Sequence, residues 1–172
     1  SRMTGRRFAL VVSVVLALAV PAAVVPASGQ NTAAATVLAP SFAAIDAETG
    51  QVLAARTATK RRPIASLTKV MTALTVIERG NLAGRVVVTR AATSVEPYKE
   101  GLVAGRSYTR RTLLWSALLA SSNDSATALA IDAGGGSLTG FYALANQRAK
   151  AIGMKSTTYA SASGLDDTRN LS

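Results

Sequence analysis

Glycine stops limit every helix this chain can form. Gly80, the run Gly134-Gly135-Gly136 and Gly153 each close an apolar segment of helical spacing, where a residue of left-handed conformation ends a helix. The stretch from Arg110 to Gly134 is cut again by the polar break Ser121-Ser122-Asn123. Four helices are predicted. The first is opened by Pro63 and buries Leu67, Val70, Met71, Leu74 and Ile77 on one face. The second, Arg110 to about Ala120, is capped by Thr109 and turns Leu113, Leu114, Ala117 and Leu118 inward. The third carries Asp124 in its first turn, where a carboxylate complements the helix dipole. The fourth is capped by Ser137 and lines one face with Phe141, Leu144, Ala145 and Ile152. Strands are fewer: a hairpin of Ser41–Asp46 and Gln51–Arg56 joined by Ala47-Glu48-Thr49-Gly50, and a short strand from Arg85 to Arg90. Residues 91–108 read as loop, and Met154 to Ser172 as an extended, turn-rich tail. Strands followed mostly by helices predict an α+β fold.

The first 27 residues stand apart. Arg2, Arg6 and Arg7 precede thirteen uncharged residues, Phe8 to Val20, and Val25-Pro26-Ala27 offers small residues at a cleavage site. That order describes a secretory signal peptide over residues 1–27. The rival is an uncleaved membrane anchor, since Phe8 to Ala27 is about a bilayer's worth of uncharged chain. Either way the body, residues 41–172, is expected outside the cytoplasm: secreted, periplasmic or in the cell-wall space. Residues 28–40, Ala-rich from Gln30 onward, are expected to be a linker. The remaining length suffices for one hydrophobic core and not two.

Two absences narrow the chemistry. Among 172 residues there is no Cys and no His. Disulfides, thiolate nucleophiles, Ser-His-Asp machinery and imidazole-ligated metals are all excluded. A catalytic base must be a carboxylate, a Lys, a Tyr or an amino terminus. The net charge is +10, or +7 without the three leader arginines. Such a surface suits anionic wall polymers or lipid head groups. The basic residues are scattered and aromatics are only 5%, so nucleic-acid binding is not expected.

Ser66-Leu67-Thr68-Lys69 is the single Ser-x-x-Lys in the chain. Spacing i,i+3 at a helix start puts Ser66 and Lys69 on one face, away from the apolar stripe. A Lys held among polar groups can give up its proton and act as a base. The backbone N–H groups of the helix N-terminus suit a developing oxyanion. Alone, the tetrapeptide reads as an ordinary first-turn Ser and a solvated helix Lys. Ser121-Ser122-Asn123, the single Ser-x-Asn, adds a second hydroxyl and an amide that could bind a substrate carbonyl. Alone, it is a turn between two helices.

Together these blocks resemble a family. Asp46-Ala-Glu-Thr-Gly-Gln-Val-Leu53, Pro63-Ile-Ala-Ser-Leu-Thr-Lys-Val-Met-Thr-Ala73, Leu118-Leu-Ala-Ser-Ser-Asn-Asp124 and Gly153-Met-Lys-Ser-Thr-Thr-Tyr-Ala-Ser-Ala-Ser-Gly-Leu-Asp166 resemble, in order, the serine-type D-alanyl-D-alanine carboxypeptidases. These are penicillin-binding proteins of the β-lactamase/transpeptidase-like fold. The resemblance implies that Ser66 is the acylated nucleophile, Lys69 its base, Ser121 a proton shuttle and Asn123 a substrate-binding amide. It implies as partners the D-Ala-D-Ala end of a peptidoglycan stem peptide and the β-lactams that mimic it, and an acyl-enzyme reaction with no metal and no cofactor. Ser122 stands where the family usually has Gly, and Ala160-Ser161 where an aromatic is usually followed by Asn-Pro. The family's Lys-Thr-Gly, expected after Ser121, is absent. Residues 41–172 are therefore expected to be the opening hairpin and helical lobe of an incomplete domain, without later strands or a last helix, and inactive by themselves.

Two other functions compete. A class A-like β-lactamase would want Ser-Asp-Asn and a deacylating Glu, whereas here the motif is Ser-Ser-Asn and no Glu follows Glu100. A catalytically dead, wall-binding secreted protein would rely on its charge alone, and a truncated gene product without function is a variant of that reading.

Overall fold

The computed structural model describes residues 37–95, 97–165 and 169–172. The expected signal peptide and most of the expected linker lie outside the described residues. No helix among the described residues is long and apolar enough to cross a membrane.

Ala39–Ser172 forms one compact unit of α+β type. It opens with the expected hairpin: β1, Phe42–Ile45, pairs antiparallel with β2, Val52–Arg56, in the register Phe42↔Arg56 and Ala44↔Ala54. Asp46 builds the turn, its Oδ1 accepting from the backbone of Glu48 and Thr49 and from the Thr49 hydroxyl at 2.7–3.1 Å. Those bonds, the Thr49 hydroxyl first, hold the Asp46 carboxyl below its usual range. The hairpin leaves Ile45, Val52 and Leu53 exposed.

The first helix starts later than expected. Pro63 does not open it; Pro63 bridges to Leu171, while Arg62 and Ser172 exchange backbone bonds at 2.9 and 3.1 Å. This holds the chain extended, and Ala65, at φ +45°, cannot enter an α-helix. A 3-10 turn, Ala65–Leu67, leads into α1, Thr68–Glu78, and Gly80 ends it at φ +73° as expected.

The buried face of α1 also differs. Of the expected stripe Met71 is buried and Leu74 half-buried, while Leu67, Val70 and Ile77 are half or more exposed. The inward face carries Thr68, Lys69, Thr72, Ala73, Thr75 and Val76. Its hydroxyls bury cheaply because backbone carbonyls take them: Thr72 Oγ1 donates to Ala162 O at 2.9 Å and Thr75 Oγ1 to Met71 O at 2.9 Å.

Between α1 and the next long helix the expected strand shortens to β3, Arg85–Val87. The region read as loop holds two elements: α2, Arg90–Thr93, capped by Thr89, and β4, Ser107–Thr109, antiparallel to β3. Thr109 caps α3, Arg110–Leu119, through Thr112 N–H at 3.1 Å, and Leu113, Leu114 and Ala117 face inward. Leu118, expected inward, is 46% exposed. Next, α4, Asn123–Ala133, is the central element; nearly every residue is buried, and α1, α2, α3 and α5 surround it. Its alanines let four neighbours approach closely. Arg110 ties α3 to α4 by a two-bond pair with Asp132, at 2.7 and 3.2 Å, and the Asp132 hydrogen bond raises the guanidinium pKa further. Ser137 caps α5, Leu138–Ala151, which buries Phe141, Ala145 and Ala149. Leu144 is only half-buried and Ile152 is 44% exposed.

The tail folds back over the start of α1. Asn146 clasps the Tyr159 backbone, donating to its carbonyl at 2.7 Å and accepting from its N–H at 2.9 Å. Tyr159 itself is 5% exposed, and burial raises its phenol pKa. An unfolded Tyr ionises near pH ~10 while the folded one keeps its proton, so above that pH the folded state binds more protons and stability falls. Tyr159→Phe is expected to flatten the alkaline loss. Urea midpoints measured between about pH 9 and 11 should decline less steeply for the variant; parallel declines would remove Tyr159 as the cause.

Candidate active site

Backbone strain marks both sides of the site. Ser66 lies in the 3-10 turn directly after Ala65 at φ +45°, and Ser121, between α3 and α4, sits at φ +55°. Non-glycine residues hold such conformations only when their surroundings over-determine them. The two strained turns face each other across Lys69.

Lys69, in the first turn of α1, is 2% exposed. Its Nζ lies 3.0 Å from Ser66 Oγ, 3.3 Å from Ser121 Oγ and 3.4 Å from the Ser163 carbonyl oxygen. An ammonium has three hydrogens, and here three oxygens are placed to receive them. Ser66, Lys69 and Ser121, singled out 55 residues apart at their extremes, are thus brought together. They line a cleft of about 440 Å³ with Ile64, Ala65, Leu67, Val70, Ala117 and Leu118. Ser66 is exposed within it and Lys69 is behind it. A neutral Lys69 at this distance can accept the Ser66 proton, and the Ser121 hydroxyl can both accept and donate.

Asn123 is placed differently. It is the first residue of α4, 1% exposed, with Nδ2 donating to the Pro97 carbonyl at 2.6 Å and its N–H to the Tyr98 carbonyl at 2.8 Å. One amide hydrogen is therefore engaged inside the protein.

Several contributors were not picked out in the sequence. The Ser163 carbonyl is a backbone atom, and no side-chain pattern announces it. Gly164 crosses the 3-10 turn before α1 so closely that a Cβ there would lie 1.8 Å from Ala65 O. Ser161 Oγ accepts its N–H at 2.7 Å. Asn170 braces the same region, its Oδ1 accepting from Ala160 N–H at 3.2 Å and its Nδ2 donating to Thr68 Oγ1. The block Ser161-Ala-Ser-Gly164 was visible as a motif, but not as the strap over Lys69.

Comparison with known proteins places the chain in a family. Residues 28–172 match the Peptidase_S11 family profile, described as D-alanyl-D-alanine carboxypeptidase. D-alanyl-D-alanine carboxypeptidase DacB2 of Mycobacterium tuberculosis is 41% identical over 121 residues, covering 70% of this chain and 41% of that protein. The D-alanyl-D-alanine endopeptidase of Pseudomonas aeruginosa is 34% identical over 122 residues, covering 70% and 39%. The structure of the Streptomyces K15 DD-transpeptidase superposes with a TM-score of 0.74 at 30% identity, covering 80% of this chain and 56% of that one. The fold is therefore the DD-peptidase/transpeptidase fold over the superposed part. The chain spans about two fifths of the two sequence relatives and 56% of the solved chain.

Proposed function

Because this chain belongs to the D-alanyl-D-alanine carboxypeptidase family Peptidase_S11, we propose that the protein is a serine D,D-carboxypeptidase acting on peptidoglycan stem peptides outside the cytoplasm. The observation that carries this reading is Lys69 Nζ, buried and within 3.0 Å of Ser66 Oγ and 3.3 Å of Ser121 Oγ. Ser66 Oγ attacks the carbonyl carbon of the bond joining the two terminal D-Ala residues, and its proton passes to neutral Lys69. Ser121 relays that proton to the departing amine nitrogen, the C–N bond breaks, and D-alanine leaves. Water then adds to the Ser66 ester and gives up a proton to Lys69. The Ser66–acyl bond breaks as Ser66 takes that proton back from Lys69, and the shortened peptide departs as a carboxylic acid that releases its own proton to solvent. A β-lactam enters the same sequence, but its leaving nitrogen stays tethered, so the ester persists.

The test uses the full-length protein. Fluorescent penicillin should label it, a tryptic digest should place the adduct on Ser66, and a D-Ala-D-Ala peptide should release D-alanine. Ser66→Ala should remove all three signals. An adduct on another serine would overturn the site, rapid nitrocefin turnover would favour β-lactamase, and cleavage confined to crosslinked peptides would favour an endopeptidase.

A further inference from the structure

We propose that Asp124 is a positioning residue for acylation, acting through Asn123; the inference rests on the D,D-carboxypeptidase reading. The Asp124 side chain is almost wholly buried, at 1% exposure. Its Oδ1 accepts from Glu100 N–H at 3.0 Å and Ser125 N–H at 2.8 Å. Its Oδ2 accepts from Gly101 N–H at 3.0 Å and Leu102 N–H at 2.9 Å. Three of these four amides belong to one loop, residues 97–102, and only one belongs to α4.

A first-turn carboxylate serving the helix alone would spend its oxygens on the helix's own orphan amides. Asp124 gives three of its four bonds to the loop and one to the helix. The loop returns the bonds one residue earlier: Tyr98 O takes the Asn123 N–H at 2.8 Å and Pro97 O takes Asn123 Nδ2 at 2.6 Å. The closure is reciprocal, the carboxylate holding the loop by its amides and the loop holding Asn123 by its carbonyls. A carbonyl can only accept, so Pro97 fixes which end of the Asn123 carboxamide faces it. A second fastening runs from Ser116 Oγ to Glu100 Oε2 at 3.0 Å and to Ser125 Oγ at 2.8 Å. Tyr98, at φ +69°, and Ser121, at φ +55°, bracket Asn123 with strained backbone on both sides. Strain of this kind persists where a network over-determines the geometry, and Asp124 accepts four bonds within this network.

The consequence is that loosening the loop misplaces the second motif without touching Ser66 or Lys69. In the full-length protein, Asp124→Asn places a donor against loop amides that are themselves donors. It should lower the second-order rate constant for penicillin acylation by about 10²-fold, the scale of a 1 Å misplacement. The deciding measurement is a double-mutant cycle. If Asp124 works through Asn123, then in an Asn123→Ala background Asp124→Asn should cost less than about threefold more. If the two losses multiply, or the loss merely follows the fraction of unfolded protein at the assay temperature, Asp124 is structural and the proposal fails. Should Asp124→Asn not fold, Asp124→Ser, which keeps one acceptor oxygen, takes its place; failure of both to fold also assigns a structural role. Absence of any acylation of the wild-type protein is a different result, because it removes the carboxypeptidase reading itself. Normal acylation of both wild type and Asp124→Asn removes only this inference.

Discussion

Lys69→Ala in the full-length protein is expected to abolish detectable penicillin labelling, a loss of about 10³–10⁴-fold, while the protein stays folded. General-base assistance alone contributes on the order of 10²–10⁴. Here the same amine also contacts the relay hydroxyl, so its removal strikes proton transfer twice. Folding should survive because Ala is the best helix former and α1 keeps its other inward residues, Met71, Thr72, Ala73 and Val76. The loss leaves the oxygens of Ser66, Ser121 and Ser163 without their shared donor. Ser66 faces the open cleft, where water can replace it, so the stability cost should stay near the low end of ~1–3 kcal/mol. Lys69→Arg separates base chemistry from simple positive charge, because a guanidinium stays protonated. It should be as inactive as the Ala variant. Acylation of either variant within tenfold of wild type, measured per folded molecule, would mean that Lys69 is not the base.

The parts legible in the sequence were those set by neighbours along the chain. Thr109 and Ser137 cap their helices with their own hydroxyls, Gly80 and Gly153 end theirs at positive φ, and the hairpin follows from Asp46 and Gly50. The pair Ser66 and Lys69 was legible for the same reason, since i,i+3 contact is local. Ser121 was not reachable that way; its approach to Lys69 depends on α4 packing against both α1 and α3, and the motif order alone suggested it. The rest failed where tertiary contacts decide. β4 exists because Arg85 pairs with Thr109 and Val87 with Ser107, twenty residues and more away. On α1, apolar spacing pointed to Leu67, Val70 and Ile77, yet the fold buried the hydroxyl-bearing face because Ala162 and Met71 carbonyls satisfy it. A periodicity count weighs a Thr as polar; it cannot see that its hydroxyl has a partner 90 residues away. That inversion is what puts Lys69 inside.

Gly164→Ala tests the backbone half of the site, which no side-chain substitution reaches. Gly164 has φ +89°, and an added Cβ would lie 1.8 Å from Ala65 O, 2.4 Å from Ala65 C and 2.7 Å from Thr68 Oγ1. Two of those atoms are backbone, so the strap itself must move. The left-handed conformation costs an L-residue roughly 1–2 kcal/mol, and relief of the clash should bring the total to about 3–4 kcal/mol. For a protein of this size that corresponds to a fall in Tm of about 10 °C. Moving the strap also withdraws the Ser163 carbonyl from Lys69 Nζ, now at 3.4 Å, and disturbs Ala65, the residue before the nucleophile. Acylation should therefore fall by about 10²-fold in the molecules that remain folded. Gly153 provides the control. It has nearly the same conformation, φ +86°, but nothing lies within 4 Å of its virtual Cβ. Gly153→Ala should thus show only the conformational cost, a Tm lower by a few degrees, with an unchanged acylation rate. If the two variants lose equal stability and both acylate normally, the close approach of Gly164 to Ala65 does not hold the site.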